Sequence, residues 1–362
     1  MVCDQAGSRI RSWRSAIPRT FCTTRLLATS AVVAATLAAA AASSAAASPS
    51  RSASALPLQE VARIALSGPP VRFDYTSIDP TTDTLWIAHM NASQLLAFNV
   101  KTRRITHTIA APGVHGVIAV PSLGRVYASA TNDHAVLTID AHTGKVLASA
   151  PAGSYPDGLV FDPVEQHVFV SDEAGGVETV INAAGKRIAT IKLGGSAGNV
   201  QYDSVAKLIL ADVQSRNDIA VIDPRTNTVI RRIALQHCDS DHGLLIDSAR
   251  RLAFVACDGN ATLLTLDLRT SKVTGVDAVG SSPDVLALDP VLHRLYVSAE
   301  SGTVAVFQET EHGLTKLGLG FLAAEAHTVA ADPRTGLVYF PLAVGSEGGP
   351  QLLIMKATGT PK

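Results

Sequence analysis

Three histidines and three aspartates share one phase of an internal repeat. Counting five residues back from Asp79, Asp162, Asp203, Asp247, Asp289 and Asp332, or from Val120 in the copy that lacks the aspartate, gives Asp74, His115, Asp157, Gly198, His242, Asp284 and His327. Imidazoles beside carboxylates are the donor set of a zinc, iron or copper ion with an open position. His115, His242 and His327 fall in the second, fifth and seventh copies, which predicts that they point at one another across a central axis, where one divalent transition metal is a candidate ligand. Such an ion would activate water or polarise a carbonyl, with Asp157 or Asp284 as general base. The same side chains equally suit a solvated polar channel that bonds only loop backbone and water. Neither an H-E-x-x-H motif, a G-x-S-x-G elbow nor a glycine-rich phosphate loop accompanies them.

The elements that must position these residues are written in the repeat. A phrase of an apolar residue, usually an aspartate, a turn and a β-branched or aromatic run returns seven times at roughly 42-residue spacing, as in FDPVEQHVFVSD from Phe161 and LDPVLHRLYVSAE from Leu288. A four-stranded blade needs about this many residues, so the period predicts an all-β, seven-bladed β-propeller. In the fifth copy the strands are expected over Gly243–Ile246, Leu252–Ala256, Thr262–Leu266 and Lys272–Ala278. They are named A to D in that order within each blade. The recurring aspartates read as turn punctuation, because they accept bonds from nearby backbone N–H groups. The seventh copy lacks a strand D, whereas Gln59–Leu66 resembles one, so the N-terminal strand is expected to join the last blade and close the ring.

In this layout each D-to-A loop crosses the channel mouth and each strand B ends on the same face. The strand-B ends His89, Asp172, Asp212, Asp258 and Glu300 are therefore expected to ring the mouth at larger radius. With Asp74, Asp157, Asp284 and Asp241, the neighbour of His242, they make an acidic surface suited to a cationic ligand. The topology also brings Cys238 near Cys257. Two arrangements suit that pair: a disulfide, or a free thiol or thiolate ligand beside His242.

Residues 1–47 carry Arg9, Arg11, Arg14, Arg19 and Arg25, an uncharged Ala-rich stretch from Leu26 to Ala42, and small residues at Ala45–Ala47. That is an export-signal pattern; an uncleaved single-span anchor is the other reading. Residues 48–58 read as a flexible lead-in and 59–362 as one propeller, expected to be a monomer in the periplasm or outside the cell, with no membrane span in the mature part. Without the first 47 residues, 25 Lys and Arg face 30 Asp and Glu, a net charge of −5. No basic run survives, so nucleic acid is an unsuitable main partner.

The phrase Gly153-Ser154-Tyr155-Pro156-Asp157-Gly158 ahead of VFVSD, and DIAVIDPRTNTVIRRIAL from Asp218 to Leu235, resemble the YVTN-repeat family and more closely its bacterial YncE-like propellers. The likeness runs over about residues 59 to 356. Cys238-Asp239-Ser240-Asp241-His242-Gly243 is similar to a Cys-x-x-x-His-Gly phrase of close relatives. The strand-B asparagine of the family motif is replaced in every copy, by His89, Asp172, Asp212, Cys257 or Ala299 among others. The resemblance implies the propeller fold, on which binding modules, scaffolds and several enzyme classes occur. Nucleic-acid binding, suggested for some YncE-like relatives, conflicts with the mature charge. The expected function is an exported scaffold that binds a small-molecule, metal or protein ligand at the channel mouth. The alternative is a metal-dependent lactonase, hydrolase or lyase built on His115, His242 and His327.

Overall fold

Alternation separates the outer strands from the inner ones. Strands D such as Arg104–Ala110 and Lys272–Ala278 alternate exposed residues with half-buried or buried ones, the pattern of a strand with one face in water. Strands B such as Leu252–Cys257 and Arg294–Ala299 are buried at every position, as expected where both faces are covered. The computed structural model describes residues 56–346 and 348–359. The expected export segment, and residues 48–55 of the lead-in, lie outside them.

The described strands form seven four-stranded antiparallel sheets, six of them from four consecutive strands. In the seventh, the N-terminal strand Leu58–Ala65 pairs with Gln351–Ala357, from Leu58 opposite Ala357 to Ala65 opposite Gln351, with one register shift between Glu60 and Ala62. Leu337–Leu342 and Ala330–Asp332 complete that blade. The first strand starts one residue earlier than expected. Leu56 and Leu58 already pack on the apolar cluster between blades 6 and 7.

Seven buried clusters occupy the seven boundaries between neighbouring blades. Between blades 1 and 2, Trp86 and Ala97 meet Val126 and Ala128. Between blades 7 and 1, Tyr339, Leu352 and Ile354 meet Leu85, Ile87 and Phe98. Face-to-face sheet packing of this kind draws on the hydrophobic effect at every boundary, so no blade is an end. The aspartates are turn punctuation, as read: Asp289 Oδ1 accepts from the N–H groups of Val291 and Leu292 at 2.9 and 3.0 Å.

Candidate cation-binding site at the channel mouth

A β-bulge explains why one repeat position can carry chemistry. In blade 3, Pro156 pairs with Asp172, but the next paired residue is Leu159, opposite Val170. The same shift follows Val114, Ala197 and Pro283, and a shorter one follows Asp241. The residue after each shift point is His115, Asp157, Gly198, Asp284 or His242, at the second position of its strand A. A bulge releases a residue from the ladder and re-aims its side chain. Asp74 and His327 occupy the same phase ahead of shorter strands, Thr76–Asp79 and Ala330–Asp332. At Gly198 a Cβ would lie 2.9 Å from both Asp212 Cβ and the Asp241 carbonyl oxygen. That close approach explains the glycine.

Five of these residues (Asp74, His115, Asp157, His242 and Asp284) border a cavity of about 350 Å³. Six carboxylates line it (Asp74, Asp157, Glu173, Asp258, Asp284 and Glu300), together with His115, His242 and one arginine, Arg72. Deeper along the axis, residues in or just ahead of strand A of all seven blades enclose a second space of about 190 Å³, and Tyr75 borders both.

The charges are unevenly held. Nε2 of His242 lies 3.3 Å from Oδ1 of Asp284. Burial alone would lower the His242 pKa, but the ion pair with Asp284 and the charge of Asp157 outweigh it and raise it to about 10. Burial likewise opposes ionisation of Asp284, and His242 overcomes it, holding the carboxyl below its usual range. Arg72 reaches Glu300 at 2.6 Å and Asp284 at 3.8 Å. Asp74 has no such partner: burial first, then the charges of Asp157 and Asp284, push its pKa well up. Burial raises Asp157 to about 7. Of the two candidate general bases, Asp284 is thus engaged by His242, and Asp157 keeps a buried Oδ1 without a hydrogen bond.

The three histidines do not form one ligand set. Nδ1–H of His115 donates to the Gly113 carbonyl at 2.7 Å, and its Nε2 accepts from the Tyr155 hydroxyl at 2.9 Å. His242 faces Asp284. Among the described residues, the group of three or more histidine, cysteine or acidic side chains close enough to share an ion is Asp74, Asp284 and His327. The reason is adjacency: these three come from blades 1, 6 and 7, consecutive around the ring, whereas other blades separate His115, His242 and His327.

The expected outer ring is corrected at several positions. Asp258 and Glu300 line the cavity. His89 does not; it is buried beneath the loop from Leu66 to Tyr75 and stacks on Phe73, ring centroids 4.0 Å apart. Asp172 is turned into its own blade, where it accepts from the backbone N–H groups of Ser154, Tyr155 and Gly175 at 2.7, 2.7 and 3.0 Å. Asp212 and Asp241 are fully buried at the boundary of blades 4 and 5 and do not reach the cavity. Cys238 and Cys257 form a disulfide with Cα atoms 5.4 Å apart, which removes the free-thiolate reading. Sequence reasoning missed Arg72, Tyr155 and Glu173. Tyr155 lies inside the quoted Gly-x-x-Pro phrase, a signal that was available; Arg72 lies outside every repeat copy.

No known family profile matches the chain. The protein YncE of Salmonella typhimurium, itself described as uncharacterized, is 21% identical over 253 residues, covering 65% of this chain and 71% of YncE. YncE of Salmonella typhi matches at the same identity and coverage. Among solved structures, hydrazine synthase of Kuenenia stuttgartiensis superposes with a TM-score of 0.63 at 13% identity, over 74% of this chain and 91% of that one, a likeness of fold alone. Repeat phrase, blade count and sequence match agree that this chain is a seven-bladed β-propeller similar to YncE.

Proposed function

We propose that this chain is an exported binding propeller whose channel mouth takes a small cationic ligand. The observation that carries the proposal is the excess of acidic groups in the cavity: six carboxyls, two of which (Asp74 and Asp157) burial pushes toward the neutral form, against Arg72 and the His242 imidazolium. A concave site with an excess of one sign focuses potential and concentrates counter-ions. The volume, about 350 Å³, lies within the range of small-molecule sites. Tyr75 and Tyr155 add rings to the lining, which favours an ammonium group as part of the ligand. The basic leader with its Ala-rich stretch supports export, and so does the Cys238–Cys257 disulfide, a bond that persists in oxidising compartments.

Calorimetric titration of the purified chain with putrescine, spermidine and citrate, at low and high salt, tests this. Binding of the two amines, weakened by salt and by Asp157→Asn, with no binding of citrate, is the expected result. Citrate binding as tightly as spermidine would overturn it.

A further inference from the structure

We propose that Asp74, Asp284 and His327 form a site for one divalent first-row transition metal ion in the wall of the cavity, a reading that rests on the cation-binding role proposed above. One donor atom from each of the three lies within 4.8 Å of the other two. Their exposures are 3%, 5% and 1%. Asp74 and Asp284 border the cavity, and His327 stands behind them.

The histidine is set up as a ligand. Its Nδ1–H donates to the Glu325 carbonyl at 3.0 Å, which fixes the tautomer and leaves the lone pair on Nε2. Metal-ligating histidines are oriented by this kind of second hydrogen bond. Nε2 itself is buried and has no hydrogen-bond partner. A buried acceptor left without a donor is costly unless something supplies an electrophile. Oδ1 of Asp284 is buried as well, and its one close polar neighbour is the ion-paired His242 Nε2 at 3.3 Å. One acceptor, Nε2 of His327, thus lacks a donor, and on the neighbouring blade Asp284 is held only by its ion pair with His242, at the place where a second carboxylate, Asp74, joins them.

The donor set selects among ions. Two carboxylate oxygens and one imidazole nitrogen suit zinc, iron(II) or manganese(II). Sulfur donors that would favour softer ions are missing from the group, and both described cysteines are tied in the disulfide. Three protein ligands leave further coordination positions, and the cavity bordered by Asp74 and Asp284 is where an exchangeable ligand would reach the ion. This is a different ligand set from His115, His242 and His327, and the two make opposite claims about His115.

The test is calorimetric titration of chelator-treated protein with Zn²⁺ and with Mn²⁺, backed by zinc-edge X-ray absorption of the zinc-loaded wild type. One equivalent should bind, with one imidazole and otherwise oxygen in the first shell. Asp74→Asn and His327→Gln should each weaken binding by more than about 100-fold, above the cost of losing an outer-shell partner. His115→Gln should leave affinity unchanged. Circular dichroism and metal-free melting establish that each variant is folded, and the absorption spectrum needs no variant. Three imidazoles in the first shell, or loss of binding in His115→Gln with Asp74→Asn intact, would overturn the site. Spermidine binding with neither metal bound would overturn it too, yet leave the cation-binding role standing. Failure of metal and amines alike would remove both.

Discussion

Asp241 accepts the backbone N–H of Val213 at 3.0 Å across the boundary of blades 4 and 5, while Asp212, the residue before Val213, has both carboxylate oxygens buried and unpaired. Burial, and then the charge of Asp241, raise the Asp212 pKa well above 3.8. Burial raises Asp241 to about 7. The two titrate as a pair.

A pH dependence follows from that pair. Both folded-state values lie above the unfolded 3.8, so the folded protein holds more protons above that pH, through about 7 where Asp241 titrates. The stability this supplies is complete below pH 3.8 and is lost as pH rises through 7. Asp212→Asn should flatten that decline and stabilise the protein above pH 7 by about 1–3 kcal/mol, since it removes a buried charge without a partner. Thermal melting across pH checks this; parallel curves for variant and wild type would reject it.

Asp172 holds the loop that presents Tyr155 and Asp157. Removing its carboxylate in Asp172→Ala strands three backbone donors, at a cost of about 3 kcal/mol. Gly153→Ala should also destabilise, because its Cβ would come within 1.5 Å of Asp172 Oδ2. Denaturant midpoints of the two variants test the clasp. A shift below about 0.5 kcal/mol, the scale of an ordinary surface change, would show it to be dispensable.

The disulfide crosslinks residues 19 apart in sequence inside the cluster between blades 4 and 5. Chain-entropy arguments put its contribution at about 3 kcal/mol. The Cys238→Ala/Cys257→Ala double variant should lose that much in urea unfolding, and added reductant should lower the melting midpoint of the wild type alone.

Deleting residues through Leu66 removes the strand that covers Gln351–Ala357 and part of the cluster between blades 7 and 1. The loss should exceed about 4 kcal/mol, enough to broaden or abolish cooperative melting. An unchanged midpoint would mean that the ring holds without it.

Much of the architecture was legible because the repeat phrase binds turn, strand and period together. Strand D of blade 5 spans Lys272–Ala278 as read, and the Cys238–Cys257 pairing followed from which loop and strand end share a face. Which phase residues meet was not legible. A period places one residue per blade around an axis, but contact depends on whether the blades are neighbours. That is why His327 finds Asp74 and Asp284 rather than His115 and His242. His89 and Asp172 were misplaced for a different reason. A polar residue at a strand end looks the same in sequence whether it faces solvent, lies under a loop as His89 does, or bonds its own backbone as Asp172 does.

The seventh blade pairs the earliest described strand of the chain with the last. A ribosome emits Leu58–Ala65 hundreds of residues before its partner exists, so this segment has nowhere to dock until Gln351–Ala357 has been made. The circle can therefore be completed only after Gln351–Ala357 emerges, and every earlier stage is an open crescent with two unprotected rims. The closing contact is non-local in the extreme, which makes it a late and slow event. Any process that must thread the polypeptide through a narrow passage benefits from that postponement, because the topology itself withholds the final locked form.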